Sequence, residues 1–179
     1  MRTYTAVFFA SLASLGYEIL LTRVFSIVLG HHFAYMAVSI AMLGLAASGT
    51  AVSALWAVRK RKPSLRPEYF LLLGLTMVLS YLAAVRVPFS PVRLSWDPTQ
   101  LARIALTYLI LSVPFFFFGM ILASAFTSMG EKAGIIYAWD LSGAALGAIL
   151  RRNNHRRHQQ QSTVLVGKGR AMGEPGPVR

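Results

Sequence analysis

The chain has 179 residues, of which 55% are hydrophobic and only 13% charged, a balance foreign to ordinary soluble domains and expected of a protein whose solvent is a lipid bilayer. Nine of its eighteen basic residues fall in two clusters, Arg59 to Arg66 and Arg151 to Arg157, and the net charge is +12; because these cations flank apolar runs instead of alternating with stacking aromatics, they read as topology determinants and not as a nucleic-acid interface. The absence of cysteine excludes disulfides, thiolate metal sites and cysteine nucleophiles.

In chain order, Met1 to Gly30 begins with Arg2 before an apolar stretch, and Ser11-Leu12-Ala13 resembles a small-residue cleavage site. Signal-peptide apolar regions run about 7 to 15 residues, whereas this one continues to Gly30, so an uncleaved first span over about residues 4–29 is expected. Phe33 to Val58 holds 26 residues with no Asp, Glu, Lys or Arg, more than the ~20 a helix needs to cross hydrocarbon. Small residues recur within it at four-residue spacing, as Ala37 and Ala41, Gly44 and Ser48, and Ala47 and Ala51, which either permits close helix approach or reflects the general abundance of Ala and Gly in membrane helices. Arg59-Lys60-Arg61-Lys62 with Arg66 marks the following loop, and the amino terminus with it, as cytoplasmic.

Tyr69 to Val85 supplies a third uncharged run, giving a span at about 69–86. Residues 86 to 103, with Pro88, Pro91, Pro98 and Trp96, read as an interfacial turn region. A fourth span, 104–129, contains Pro114, which deprives the Ile110 carbonyl of its donor and kinks the helix; the consecutive aromatics Phe115 to Phe118 must face both lipid and neighbouring helices. After a Gly130 to Gly134 turn comes a short apolar segment, 135–150, which at 1.5 Å per residue reaches about 24 Å of a ~30 Å core. Spanning would carry Arg151 and Arg152 outward, against the positive-inside tendency, so this segment reads as re-entrant, peripheral or truncated. Residues 151–179 read as a basic, disordered tail in which Thr163 to Gly169 only faintly resembles a strand entering a glycine turn. The expected architecture is an all-α polytopic bundle, 1–150, of four spans and a partial fifth.

Ionisable residues inside spans are costly, roughly 2.5 to 3.5 kcal/mol at mid-depth, and mark candidate sites. Glu18 and Arg23 are five residues apart, about 140° round a helix, which excludes a direct intrahelical pair. Arg23 lies near the outer end of the first span and can snorkel to the interface. Glu18 lies deeper and is read either as a functional carboxyl or as a protonated, hydrogen-bonded one engaged in packing, with a partner expected from the second or fourth helix or from helices this chain has lost. Asp140, some 8 Å into the fifth segment, is too far along the axis to meet Arg23. Gly143 and Gly147 form a GxxxG pattern. His31 and His32 are adjacent and lack further ligands nearby in sequence, so no metal or other cofactor is expected, and no catalytic constellation is visible.

Two passages, YEILLTRVFSIVLG at Tyr17 to Gly30 and IYAWDLSGAALGAIL at Ile136 to Leu150, together resemble the multi-span membrane domain that precedes the catalytic domain of bacterial spermidine synthase-like proteins, relatives of the polyamine aminopropyltransferases. The residues carrying the resemblance are Tyr17, Glu18, Arg23, Tyr137, Asp140, Gly143 and Gly147. It implies a multi-pass protein of the bacterial inner membrane. In the family, further helices and a Rossmann-like domain follow, whereas here RRNNHRRHQQQ begins at Arg151, the pattern of a frameshift or truncation. A membrane anchor or scaffold without aminopropyl-transfer activity of its own is therefore expected, with lipid, other transmembrane helices, a second copy of the chain or a separately encoded soluble domain as partners. The alternative is a small transporter or transporter fragment for a cationic or lipophilic substrate, using Glu18 and the Pro114 kink.

Overall fold

A computed structural model describes residues 2–28, 35–59, 65–86 and 98–149. Among them there is no strand. Four long helices, α1 (Arg2–Val28), α2 (Tyr35–Arg59), α3 (Glu68–Arg86) and α4 (Pro98–Ser128), are followed by a 3-10 turn, Gly130–Lys132, and by a fifth helix, α5, over residues 133–149. The chain is thus an all-α bundle, and α1, α2 and α4 are long and apolar enough to cross a membrane. α3 is shorter, with its apolar part at Glu68–Ala84. α1 runs unbroken through Ala13, the residue that could have ended a signal peptide.

The helices alternate in direction. One core cluster joins Tyr17, Leu21 and Phe25 of α1 to Ala37, Ile40 and Ala41 of α2 and to Leu111 and Phe115 of α4. The other joins Val7 and Ala10 to Leu73, Phe118, Ile121, Ala125 and Ile136. Late α1, early α2 and early α4 therefore share one end, while early α1, early α3, late α4 and the start of α5 share the other.

α4 is the central element. Leu111, Ser112, Pro114, Phe115, Phe118, Ile121, Ser124 and Ala125 are all buried, positions that cover more than one face of a helix. Of the four consecutive aromatics, Phe115 and Phe118 are buried while Phe116 and Phe117 are half-exposed, as a run wrapping a helix must be. α4 continues through Pro114 as one helix. It begins at Pro98, so residues 98–103, expected in the interfacial turn region, belong to the helix. Proline fits a first helical turn, where its missing N–H is unpaired anyway, and no other helix breaker occurs before Pro114. Residues 87–97, His31 and His32, and the 150–179 tail with its strand-like Thr163 to Gly169 lie outside the described residues.

α2 meets α4 through small residues. A Cβ placed on Gly44 would lie 2.5 Å from the Ser112 carbonyl oxygen and 2.6 Å from the Phe115 Cβ. One placed on Gly119 would collide with the Ser48 hydroxyl, which instead donates to the Leu45 carbonyl at 2.7 Å. Ala37 and Ala41 continue the buried face, whereas Ala47 is exposed and Ala51 half-buried; of the three small-residue pairs, two face the bundle. Overpacking a tight contact costs about 1 to 3 kcal/mol, and here a backbone atom stands in the way. Gly44→Leu is accordingly expected to destabilise the detergent-solubilised protein by at least about 2 kcal/mol, measured by thermal or denaturant unfolding. Gly49→Leu, at a position with open space around it, is expected to change stability by less than about 0.5 kcal/mol.

Candidate functional site

The polar residues of interest lie on α1 and on what packs against it. Val7, Ala10, Ser11, Ser14, Tyr17, Leu21 and Phe25 are buried, at steps of three and four that define one face. At 100° per residue, Arg23 points about 180° from the middle of that face, and it is exposed. Glu18 falls at the flank of the buried face, between the directions of Phe25 and Ser11, and is half-buried. Glu18 and Arg23 are thus kept apart by the helix itself.

Tyr17 fixes α1 to two other helices. Its hydroxyl is 2.7 Å from Ser80 Oγ of α3, and Ser80 is 3.3 Å from the Met77 carbonyl. The arrangement that satisfies both groups has Tyr17 donating to Ser80 and Ser80 donating to Met77. The ring stands 5.7 Å from Phe115 of α4 at 48°. A phenol is well suited to such a position, because its ring packs like a core residue while its O–H must find an acceptor once buried.

α5 lies along the first half of α1. Gly143 sits against the Phe8 carbonyl so closely that any Cβ would collide with it. Gly147 faces Leu12 and Leu15, with the Leu12 carbonyl 3.4 Å from where its Cβ would be. Since higher numbers on α5 meet higher numbers on α1, the two helices are parallel, and the GxxxG pattern is the contact surface between them. Trp139 meets Phe8 edge-on, with ring centroids 6.0 Å apart. Asp140 accepts a hydrogen bond from Ser11, whose hydroxyl is also 2.9 Å from the Val7 carbonyl.

Several residues singled out from the sequence are therefore brought together on α1: Tyr17 at its core face, and Asp140, Gly143 and Gly147 along its flank. Tyr137 is not among them, being 58% exposed. Asp140 and Arg23 are not brought together, for Asp140 meets Ser11, twelve residues or about 18 Å below Arg23 along the helix. Among the described residues the Glu18 carboxylate has no hydrogen-bond or ion-pair partner, its backbone carbonyl alone being engaged, by Thr22 at 2.9 Å. The second and fourth helices, one expected source of that partner, carry no Lys or Arg between residues 36–58 and 104–128.

Sequence reasoning missed the serines. Ser11, Ser14, Ser48, Ser80, Ser112 and Ser124 are all buried, and Ser11 and Ser80 are the partners of Asp140 and Tyr17. Serine is unremarked in a membrane helix because its hydroxyl can return to a carbonyl three or four residues back, as Ser112 does to Leu109 at 2.9 Å. The usable signal was the heptad step from Ser11 to Glu18, which places both on the same flank. Among the described residues no group of His, Cys, Asp or Glu could hold a metal ion. No family model, curated protein or solved structure matches the chain.

The Tyr17 contacts separate into ring and hydroxyl. Tyr17→Phe, which keeps the ring on Phe115 and loses the bond to Ser80, is expected to cost about 1 kcal/mol of stability, and Tyr17→Ala about 3 to 5 kcal/mol. Tyr137→Ala, at an exposed position, is expected to change the unfolding midpoint little. Equal effects at Tyr17 and Tyr137 would contradict this placement.

Proposed function

We propose that this chain is the membrane domain of a spermidine synthase-like protein, serving as an anchor and scaffold without aminopropyl-transfer activity of its own. The observation that supports the proposal is the role of the residues on which the resemblance rests: Tyr17 ties α1 to α3 and α4, and Asp140, Gly143 and Gly147 seat α5 on α1. Motif residues engaged in helix packing fit a structural part better than a reaction centre. The chain resides in a bacterial inner membrane with the amino terminus and the Arg59 to Arg66 loop cytoplasmic, and its partners are lipid together with a second copy or a separately encoded soluble domain.

Purified full-length protein incubated with decarboxylated S-adenosylmethionine and putrescine is expected to release no spermidine, and turnover above a no-protein control overturns the proposal. The orientation is checked separately. Because the chain has no cysteine, Ser64→Cys introduces a single thiol into the basic loop. It is expected to react with a membrane-impermeant maleimide in inverted vesicles and not in intact spheroplasts; the opposite pattern reverses the topology.

A second reading is favoured by one observation, the half-buried Glu18 without a partner among the described residues. Intramembrane carboxyls of that kind line proton and substrate paths, and the chain is then a small transporter for a cationic or lipophilic substrate. Proteoliposome uptake of protons or polyamine that is lost in Glu18→Gln supports it; uptake that is absent, or unchanged in the variant, leaves the scaffold.

A further inference from the structure

Glu18 and Arg23 pose one problem between them. Each is a charge at membrane depth, among the costliest groups in such a protein, and neither side chain has a hydrogen-bond or ion-pair partner among the described residues. They are opposite in sign and five residues apart on one helix, where geometry forbids them to meet. α2, α3 and α4 carry no Lys, Arg, Asp or Glu along residues 36–58, 69–85 and 104–128. Asp140 of α5 is engaged lower down, by Ser11.

A spacing of five has a second meaning. Where two parallel helices pack along a heptad seam, a residue at position g of one helix faces position e of the next heptad in the other, five residues further on. With Glu18 at g and Arg23 at e, the a and d positions between them are Ile19 and Thr22, and the preceding seam positions are Phe8, Leu12 and Leu15. Those lower positions are where α5 packs, with Gly143 against the Phe8 carbonyl and Gly147 facing Leu12 and Leu15. This side of α1 therefore already receives one parallel helix in its lower half. Above Leu15 the seam continues through Ile19 and Thr22, both half-exposed. Thr22 returns its hydroxyl to the Glu18 carbonyl at 2.9 Å and so brings no unmet polar group to a contact.

We propose that a second copy of this chain packs its α1 in parallel against the upper half of that seam, with Glu18 of each copy forming an ion pair with Arg23 of the other. Copies inserted in one membrane share one orientation, so a twofold axis along the membrane normal makes their first helices parallel and satisfies both charges of both copies at once. Charge selects the occupant. A surface that presents an acid and a base at this spacing is complementary to itself, whereas a lipid headgroup answers Arg23 and leaves Glu18 unmet. Ile19 at an a position suits a two-stranded contact. A guanidinium offers a fork of donors to the carboxylate, and its remaining donors stay at the outer edge of the seam, within reach of headgroups. Because α5 fills the seam lower down, the two first helices touch only above Leu15 and diverge beneath it. The inference takes up the second copy among the partners given for the anchor reading and rests on that reading only for its membrane setting.

The test uses the full chain in its membrane, which has no cysteine of its own to react. On oxidation with copper phenanthroline, Ile19→Cys and Thr22→Cys are each expected to give a disulfide-linked product at dimer mass, at a yield roughly fivefold above Leu20→Cys and Ile27→Cys. The latter two positions are exposed and lie off the seam. Equal yields at all four positions, a preference for 20 or 27, a product at another mass, or no product each overturns the proposal. Charge exchange gives an independent readout, with Thr22→Cys as the reporter. Glu18→Arg alone and Arg23→Glu alone are each expected to lower the dimer yield several-fold, since each variant meets its own copy with like charges. Co-expressed under different tags, the two variants are expected to link to each other at within about twofold of the parent yield, because the mixed dimer restores both ion pairs. A mixed pair that links no better than either variant alone overturns the pairing. The cysteine comparison keeps both charges in place and decides the matter where a charge variant fails to insert. Because both readouts are dimer yields, failure here leaves the anchor proposal to its transfer assay, and turnover in that assay leaves the dimer standing.

Discussion

Hydrocarbon offers no hydrogen bonds and no hydrophobic advantage to one apolar surface over another, so helices in it adhere only where their backbones approach closely. The contact between α2 and α4 meets that condition. Gly44 lies under the Ser112 carbonyl and Phe115, and Gly119 accommodates the Ser48 hydroxyl, which removes side-chain bulk from both helices at the crossing. Because α4 also receives α1 and α3, the positions of Tyr17, Ser80 and Phe115 depend on that approach. α5 repeats the device on a smaller scale with Gly143 and Gly147 against α1.

Polar groups in the bundle are placed where a second helix can satisfy them. Tyr17 reaches Ser80 and Asp140 receives Ser11, each contact joining two helices that share no nearby sequence. Interhelical bonds of this kind contribute roughly 0.6 to 2 kcal/mol apiece, less than the packing of a large side chain, but unlike packing they are directional. They set rotation and register: the Ser11–Asp140 bond, together with the Gly143 and Gly147 contacts, sets the height of α5 on α1. The exposed Arg66–Glu68 pair, at 3.6 Å, adds little by comparison because water screens it.

The helices were legible because length and the absence of charge suffice to mark them. Uncharged runs such as Phe33 to Val58 leave the backbone no alternative in a bilayer, and the structure forms a helix over nearly that range. The start of α4 was less so: Pro98 can end a turn region or open a helix, and local sequence does not separate the two. Within α1, the angle between Glu18 and Arg23 followed from helix geometry, and the face occupied by Arg23 became visible only with the pattern of burial. The partners of Tyr17 and Asp140 could not be read at all. They lie 63 and 129 residues away in the chain, and a serine has no periodicity to reveal which of several available acceptors it will meet.

Arg23 carries a consequence of another kind. It stands on the side of α1 turned away from the rest of the bundle, five residues beyond Glu18, and a cation there must reach headgroups or draw water toward itself. Every other device in the molecule measures one helix against another; Arg23 measures the protein against the lipid. It acts as a depth gauge, resisting displacement of α1 along the membrane normal in the direction that would draw its charge into hydrocarbon. Through the Tyr17–Ser80 bond that vertical setting is passed to α3, whose apolar length is the shortest of the four long helices and which therefore has the least margin for being set at the wrong height.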